Sequence, residues 1–231
     1  MAALKAQPIL ALDVPSLAAA QELLARVGPA ADFVKIGLEL FTAEGPRVVD
    51  WMHANGRRVF LDLKLHDIPN TVRGAAASAR AMGVELLTVH GYGGAPMVQA
   101  AVEGAGEGTR ILVVTVLTSF DRAALGLALG REVEELGAEV LRLAGVAHAG
   151  GAHGIVCSGH EVTAVRTTFP TLAPLVPGLR LAGGTAHDQA RVVTPERAAA
   201  AGAAYLVLGR AVTAAEDPAR VMADLVASLA R

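Results

Sequence analysis

Charged residues interrupt an apolar stretch of the chain that reads FLDLKLHDIPNT from Phe60 to Thr71. Asp62 and Lys64 alternate with leucines, so a β-strand here would project the carboxylate and the ammonium from one face and the leucines from the other. Asp67 follows just past the predicted strand end. Burying a charge costs on the order of several kcal/mol in desolvation, so the pattern indicates chemistry; a salt-bridged strand end is the structural alternative.

A second predicted strand carries another lysine. Residues 33–41 read FVKIGLELF, in which Lys35, Gly37 and Glu39 alternate with apolar residues. If the two strands line one interior, Lys35 lies near the two aspartates and the lysine of the first stretch, and these four charges sum to zero. Clusters of interacting ionisable groups are more frequent at functional sites than elsewhere, so we expect the four residues to form one compact network.

Glycines and arginines near the C-terminus have the composition of an anion site. Gly209 and Arg210 close the last predicted strand, and Arg180, the glycine pair at 183–184 and Gln189 follow the strand before it. A guanidinium fork and a backbone that a ligand can approach at glycine both suit a phosphate group. For Arg210 alone, capping of a strand edge is as good an interpretation as phosphate binding. The loop that carries Arg180, the glycine pair and Gln189 favours phosphate binding.

Other polar residues at predicted strand ends have two interpretations each. Asp13 could accept hydrogen bonds from a ribose hydroxyl or form a turn before Pro-Ser. Thr118 and Ser119 could contact the edge of a polar ring or begin a loop. His66 beside Asp67 could be a ligand pair, but we interpret both His66 and His90 as scaffold for the site, because the sequence contains no His-Glu-x-x-His pattern and no His/Asp set at obvious metal-binding spacing. We therefore predict no metal site.

Eight short apolar runs must position these residues, and each is followed by a helix-like segment. Repeated βα units of this kind, eight in 231 residues, are typical of a (β/α)8 TIM barrel, which we predict as a single domain over residues 1–231. Barrel enzymes place their active sites at the C-terminal ends of the strands, where the polar residues gather. The predicted strands begin at Ile9, Phe33, Arg58, Leu86, Arg110, Gly154, Ala173 and Tyr205.

A doubly wound open sheet is the competing architecture, since βα alternation suits both. The turn after the first strand lacks the glycines that a dinucleotide-binding turn needs, which favours the barrel. The fifth unit is longer than the others. We predict a loop over residues 121–130 and then a helix whose apolar face carries Val133, Leu136, Val140, Leu143 and Ala147.

Composition excludes several classes of partner. Hydrophobic residues make up 53% of the chain, yet the longest apolar runs are too short to span a bilayer, and no signal-peptide pattern opens the sequence. We expect a soluble, cytoplasmic protein that binds no membrane. A net charge of −2 without basic blocks, and only 3% aromatic residues, argue against nucleic acid. The single cysteine, Cys157, is predicted to be a small core residue.

Nearly the full chain resembles the bacterial orotidine 5′-phosphate decarboxylases. The motifs LALDVPS, VKIGLELF, FLDLKLHDIPNT, TVHGYGG, VLTS, PGLR with a later DQ, and LGRAVT occur in that family's order and at compatible spacing. Asp-x-Lys-x-x-Asp alone is shared with sugar-phosphate decarboxylases and aldolases, but the attached IPNT and Arg210 make the match specific. The chain has Val176 where the family often has threonine, outside the charged network.

The resemblance implies a cofactor-free decarboxylation of orotidine 5′-monophosphate to uridine 5′-monophosphate. Lys64 would be the proton donor, flanked by Asp62, Lys35 and an Asp67 from the neighbouring subunit of a homodimer. Asp13 and Lys35 would hold the ribose, with Asp67 and Thr71 reaching it across the interface. Thr118 and Ser119 would meet the pyrimidine. The phosphate would lie on Arg180, Gln189, Gly209 and Arg210, and the pocket would be completed by the backbone of Ile68, Pro69, Asn70 and Thr71.

Two rival functions remain at this point. A metal-dependent sugar-phosphate decarboxylase or aldolase on the same barrel would use the carboxylates as Mg²⁺ ligands, and chelation would abolish its activity. A non-catalytic phospholigand-binding barrel would keep the phosphate site alone. Lys64 and Asp62 argue against the second, since binding gains little from a buried carboxylate placed against an anionic ligand.

Overall fold

Eight parallel strands close into a barrel in the computed structural model, which describes residues 5–180 and 193–230. The strands pair in chain order, and the first pairs with both the second and the eighth, so the open doubly wound alternative is wrong. The predicted (β/α)8 barrel is confirmed. The strands are β1 Gln7–Leu12, β2 Phe33–Gly37, β3 Arg58–Leu65, β4 Leu86–His90, β5 Arg110–Val114, β6 Gly154–Val156, β7 Ala173–Val176 and β8 Tyr205–Leu208.

The helices surround the barrel, and several begin at residues whose side chains cap a helix. Ser16 and Asp217 each accept a hydrogen bond from a backbone N–H in the first turn that follows, which satisfies a donor that has no partner within the helix. In the described ranges the helices are α1 Leu17–Val27, α2 Leu38–Glu44, α3 Arg47–Ala54, α4 Pro69–Ala81, α5 Gly94–Ala105, α6 Arg122–Leu129, α7 Leu136–Ala149, α8 Val162–Thr168, α9 Pro195–Ala200, α10 Arg210–Thr213 and α11 Pro218–Leu229.

Two apolar cores result from the alternation of side chains along the strands. The larger lies between the strands and the helices and contains Leu61, with Leu63 and Leu65 packed against it, as the leucine face of β3 predicts. Cys157 and Val176 are also buried there, at 1% and 0% exposed. The smaller core fills the barrel interior below the charged residues and consists of Ile9, Ala11, Phe33, Phe60, Leu86, Leu112, Leu175, Tyr205 and Val207.

The prediction of one continuous strand over residues 33–41 is wrong. β2 ends at Gly37, whose extended backbone caps α2, so Glu39 belongs to the first turn of a helix. Leu38, expected in the strand, is 53% exposed. Apolar residues in a run this short fit either a strand or a helix start, and periodicity alone does not separate the two.

The predicted loop at 121–130 is also wrong, because it contains α6. The Asp121 side chain accepts a hydrogen bond from the Ala124 N–H at 2.8 Å, and Gly130 ends the helix in the left-handed conformation. These two residues were the available signals for a short helix. In the next helix, α7 begins only at Leu136, so Val133 precedes it, although Val133 is buried as expected.

Among the helices of residues 5–180 and 193–230, none combines the length and the hydropathy needed to cross a bilayer.

Candidate active site

A cavity of about 700 Å³ opens at the C-terminal ends of the strands. Its floor is formed by interior residues of the barrel, including Phe60 and Leu175. Most of the predicted site residues line it, from the ends of six strands and the loops that follow them. They are Asp13, Lys35, Asp62, Lys64, Thr118, Arg180, Gly209 and Arg210.

Four of these side chains form a line of alternating charges. Lys35 Nζ lies 2.8 Å from Asp13 Oδ1 and 3.6 Å from Asp62 Oδ2. Lys64 Nζ donates to both oxygens of Asp62, each at 2.9 Å. Asp62 therefore lies between two ammonium groups. Of the four residues expected to form one network, Lys35, Asp62 and Lys64 do so, Asp67 does not, and Asp13 joins them instead.

Asp62 is held as an anion despite its burial. Its side chain is only 13% exposed, and burial by itself would raise the carboxyl pKa. The charges of Lys35 and Lys64, with hydrogen bonds from Lys64 and Thr88, outweigh burial and bring the pKa of Asp62 below its ordinary value. The site thus presents an ionised carboxylate to whatever occupies the cavity at neutral pH.

A distortion of β3 places Lys64. Leu61 pairs with Leu87 and Leu65 with Val89, so residues 62–64 of β3 stand opposite the single residue Thr88 of β4. Lys64 has φ +50°, a left-handed conformation in which, among the described residues, it is the one non-glycine with positive φ. That conformation costs a non-glycine residue roughly 1–2 kcal/mol. Strain of this kind clusters at functional sites.

Thr88 is a residue of the site that the sequence interpretation missed. Its hydroxyl accepts a hydrogen bond from the Lys64 backbone N–H at 2.9 Å and donates one to Asp62 Oδ1 at 2.9 Å. A signal was present, because Thr88 follows the interior residue Leu86 by two positions on β4 and must also point into the barrel. A polar residue at an inward position of an apolar strand is the pattern that had drawn attention to Asp62.

Gly37 leaves room for the lysine that pairs with two carboxylates. A Cβ atom at this position would stand 2.9 Å from Lys35 Nζ and 3.3 Å from Asp13 Oδ1. Any larger residue would therefore displace the ion pair between Lys35 and Asp13. The glycine that ends β2 is a requirement of the site as well as of the strand–helix junction.

Two arginines bring positive charge to another part of the cavity wall. Arg180 is buried, with Nη1 donating to the Leu179 carbonyl at 2.9 Å. Burial, together with the nearby charge of Arg210, lowers the pKa of Arg180 from its ordinary value. Two guanidinium groups close enough to repel one another are suited to share an anion. Gln189 and the glycine pair at 183–184 lie outside the described residues.

The remaining predicted residues lie away from the cavity. The Asp67 carboxylate accepts a hydrogen bond from its neighbour Ile68 N–H at 2.6 Å, and Ile68 is 67% exposed. Pro69, Asn70 and Thr71 are exposed in the first turn of α4, and Ser119 is exposed after β5. Within one chain these residues do not contact the charged network, so their predicted roles stay predictions.

The two histidines near the site form a stack with a tyrosine. The ring centroids of His66 and His90 are 5.7 Å apart, those of His90 and Tyr92 are 5.3 Å apart, and the Tyr92 hydroxyl donates to Glu139 at 3.0 Å. Burial, His66 and the Lys64 ammonium lower the pKa of His90, so its ring is neutral at pH 7. Over residues 5–180 and 193–230, no three His, Cys, Asp or Glu side chains are grouped so as to hold a metal ion.

Comparison with known proteins gives one consistent result. Residues 6–225 match the model of the orotidine 5′-phosphate decarboxylase / HUMPS family. A protein of Anaeromyxobacter dehalogenans named orotidine 5′-phosphate decarboxylase is 55% identical, over 95% of this chain and 96% of its own length. One of the same name from Halorhodospira halophila is 47% identical, over 96% and 95%.

Solved structures agree with the sequence comparison. The crystal structure of orotidine 5′-phosphate decarboxylase from Lactobacillus acidophilus superposes with a TM-score of 0.86 at 31% identity, covering 97% of this chain and 99% of that one. The family match extends over nearly the whole barrel and includes every residue of the charged network. The chain therefore belongs to the orotidine 5′-phosphate decarboxylase / HUMPS family.

Proposed function

We propose that this protein converts orotidine 5′-monophosphate to uridine 5′-monophosphate and CO2, the last step of de novo pyrimidine nucleotide synthesis, without a metal or organic cofactor. The observation that carries the proposal is the ionised Asp62 held between the ammonium groups of Lys35 and Lys64 in the cavity wall. The names of the closely similar relatives support the same substrate.

The reaction needs an ammonium group in the position that Lys64 would occupy. When CO2 leaves C6 of the pyrimidine, the electron pair remains in an sp² orbital in the plane of the ring, where no carbonyl accepts it by resonance. A fixed cation next to C6 stabilises the carbanion as it forms and can then deliver a proton, which combines preorganised electrostatics with general acid catalysis. Lys64 carries out both steps in this mechanism, and its proton ends on C6.

Asp62 acts on the substrate before the bond breaks. Its carboxylate, kept ionised by the two lysines, would face the carboxylate of the substrate. Their repulsion is lost when neutral CO2 departs, so this contact raises the energy of the bound substrate relative to the transition state. Lys35 would hold a ribose hydroxyl together with Asp13, to which it is already paired at 2.8 Å.

The phosphate supplies binding energy far from the reacting carbon. Arg180, Gln189, Gly209 and Arg210 would hold it, while Thr118 and Ser119 would contact the pyrimidine. The proximity of the two guanidinium groups supports this assignment, because a dianionic phosphate relieves their mutual repulsion. Remote binding energy of this kind can offset the cost of bringing like charges together at C6.

The active enzyme is a homodimer in this proposal, with Asp67 and Thr71 of each chain completing the site of its neighbour. The backbone of residues 68–71 would close the same pocket. Support comes from residues 66–71, which directly follow β3, the strand that carries Asp62 and Lys64. All six are exposed in a single chain, so this segment is free to contact a second subunit. A C2 interface would place each such segment against the other subunit.

The test is a spectrophotometric assay with purified protein that has been stripped of metal by a chelator. We expect the absorbance of orotidine 5′-monophosphate to fall as the uridine nucleotide forms, at the same rate before and after chelation. Activity that disappears with EDTA and returns with Mg²⁺ would favour the metal-dependent alternative. Binding of the nucleotide without turnover would favour a phospholigand-binding protein.

A further inference from the structure

Thr88 lies where the charged network and the distortion of β3 meet. It is fully buried, at 0% exposed, on the inward side of β4. Its hydroxyl connects two groups of the opposite strand, the Lys64 N–H and Asp62 Oδ1, each at 2.9 Å. Regular pairing between the strands resumes at Leu65 and Val89, so the Thr88 side chain stands where the ladder between β3 and β4 is interrupted.

We propose that Thr88 is a positioning residue for the decarboxylation, which sets both the backbone of Lys64 and the direction of the Asp62 carboxylate. The inference rests on the proposed function of those two residues. Thr88 does not touch the reacting atoms. It acts by holding the two groups that do.

The directions of the two hydrogen bonds follow from the donors present. A backbone N–H can only donate, so Thr88 Oγ1 must accept from Lys64. Its own single proton is then available for the ionised Asp62, which can only accept. A hydroxyl on a short side chain meets both demands at once. Valine, of nearly the same shape, would leave the Lys64 N–H and one acceptor position of Asp62 without these partners.

The role of Thr88 becomes larger when substrate arrives. Lys64 Nζ binds both oxygens of Asp62, and it must turn toward C6 to donate its proton. Lys35, the other cation, is 3.6 Å from Asp62 and is shared with Asp13. Thr88 is a neutral donor that keeps its hydrogen bond to Asp62 Oδ1 while the Lys64 ammonium moves. The Asp62 carboxylate therefore keeps its orientation toward the carboxylate of the substrate.

The experiment compares Thr88→Val and Thr88→Ser with wild-type enzyme, whose activity first establishes the proposed function. The matched control is Thr109→Val. Thr109 is buried at the other end of the barrel, where its hydroxyl donates to the Val84 carbonyl at 2.7 Å. Each variant is assayed for kcat, for KM, for affinity toward the product uridine 5′-monophosphate, and for Tm.

Thr88→Val is expected to lower kcat about ten- to a hundredfold, the usual range for a hydrogen bond to a charged group, with KM and product affinity within about threefold. Thr88→Ser restores most of kcat because the hydroxyl is retained. Thr109→Val lowers Tm by a similar amount and leaves kcat near the wild-type value. If Thr88 were purely structural, Thr88→Val would lower Tm without this specific loss of kcat, as Thr109→Val is expected to do.

Wild-type kcat in Thr88→Val, or a serine variant as impaired as the valine variant, would overturn the proposal. If Thr88→Val does not fold, Thr88→Ala replaces it, since alanine removes the hydroxyl without adding a buried methyl against charged groups. Kcat of the alanine variant equal to that of the serine variant would then be the contrary result. Failure of wild-type protein to turn over the substrate would count against the proposed function instead.

Discussion

The barrel holds a charged network at each end, and the two differ in how completely their charges are paired. At the N-terminal end, Arg58 binds Glu85 through two hydrogen bonds of 2.7 Å and Gln7 through one of 2.8 Å, and its guanidinium covers the Phe33 ring at 4.2 Å. The side chains of Arg58 and Glu85 are 38% and 29% exposed. Because Arg58 and Glu85 form two parallel hydrogen bonds and both remain partly exposed to water, each charge has its partner within one chain.

At the C-terminal end, two lysines share one carboxylate. Lys35 and Asp62 are only 10% and 13% exposed, and the Lys64 backbone is strained. These charges face a cavity, and removing water strengthens every interaction between them. Ion pairs of similar length therefore differ in their surroundings: those at the N-terminal end are satisfied within the fold, whereas in the proposed mechanism those at the C-terminal end keep charge ready for a substrate.

The strongest test of this difference between the two charged networks is a substitution of Lys64, for which we expect the largest loss of activity. We expect Lys64→Ala to lower turnover by at least about 10²–10⁴-fold, the usual contribution of general acid catalysis alone, while the nucleotide still binds. Tm should change little, because Lys35 and the Thr88 hydroxyl remain as partners of the Asp62 carboxylate when the Lys64 ammonium is removed. Kinetics and thermal denaturation check both. Turnover within about tenfold of wild type would exclude Lys64 as the proton donor.

The next effect tests whether the C-terminal network is complete in one chain. Inactive Lys64→Ala and Asp67→Ala proteins are mixed under conditions that allow subunits to exchange. About half of the dimers would then be mixed, and one of their two sites would have both residues intact, so roughly a quarter of wild-type activity should return. The unmixed variants are the controls. Activity that stays near zero after proven exchange would place Asp67 in its own chain's site.

A smaller effect is expected at the end of the cavity that contains the two arginines, where we propose that the phosphate binds. Arg210→Ala should lower kcat/KM for orotidine 5′-monophosphate by about ten- to a hundredfold, because a charge-assisted hydrogen bond contributes roughly 1.5–3 kcal/mol. Decarboxylation of the nucleoside orotidine, which lacks the phosphate, should change little. Arg220→Ala, at an exposed position of α11, is the matched control. Equal losses on both substrates would remove Arg210 from the phosphate site.

The smallest effect is on stability alone and concerns the N-terminal network. Hydrogen bonds from Arg58 keep the pKa of Glu85 below its ordinary value of 4.5. The unfolded chain therefore binds this proton more readily, and the stabilisation present above about pH 4.5 is lost as pH falls through the lower pKa of the folded state. Glu85→Gln should lower Tm at pH 7 by a few degrees, flatten the decline of Tm in acid, and leave kcat unchanged. A fall in kcat at full Tm would contradict the assignment of this network to stability.

Local patterns in the sequence were sufficient to predict the positions of the charged side chains. β3 runs over Arg58–Leu65 as its alternation predicts, and Asp62 and Lys64 meet in the cavity. Those results depend only on residues two apart sharing a face. Arg180 and Arg210 likewise line the cavity, as their place after the last two predicted strands indicates.

Features that depend on contacts between distant segments were not predictable in this way. The distortion of β3 and the positive φ of Lys64 arise from its pairing with β4, and no residue near Lys64 in the sequence signals them. Thr88 acquires importance only from that pairing. The need for a glycine at position 37 becomes visible only when Lys35 and Asp13 are placed beside it, since a Cβ there would stand 2.9 Å from Lys35 Nζ.

The left-handed conformation of Lys64 also has a consequence for protein engineering. Glycine adopts φ +50° without a steric cost, and asparagine tolerates it better than lysine does. A library of variants at position 64 that is selected for thermal stability alone should therefore enrich those residues and discard the lysine. Screening for heat resistance and screening for turnover would rank the same substitutions in opposite orders at this position.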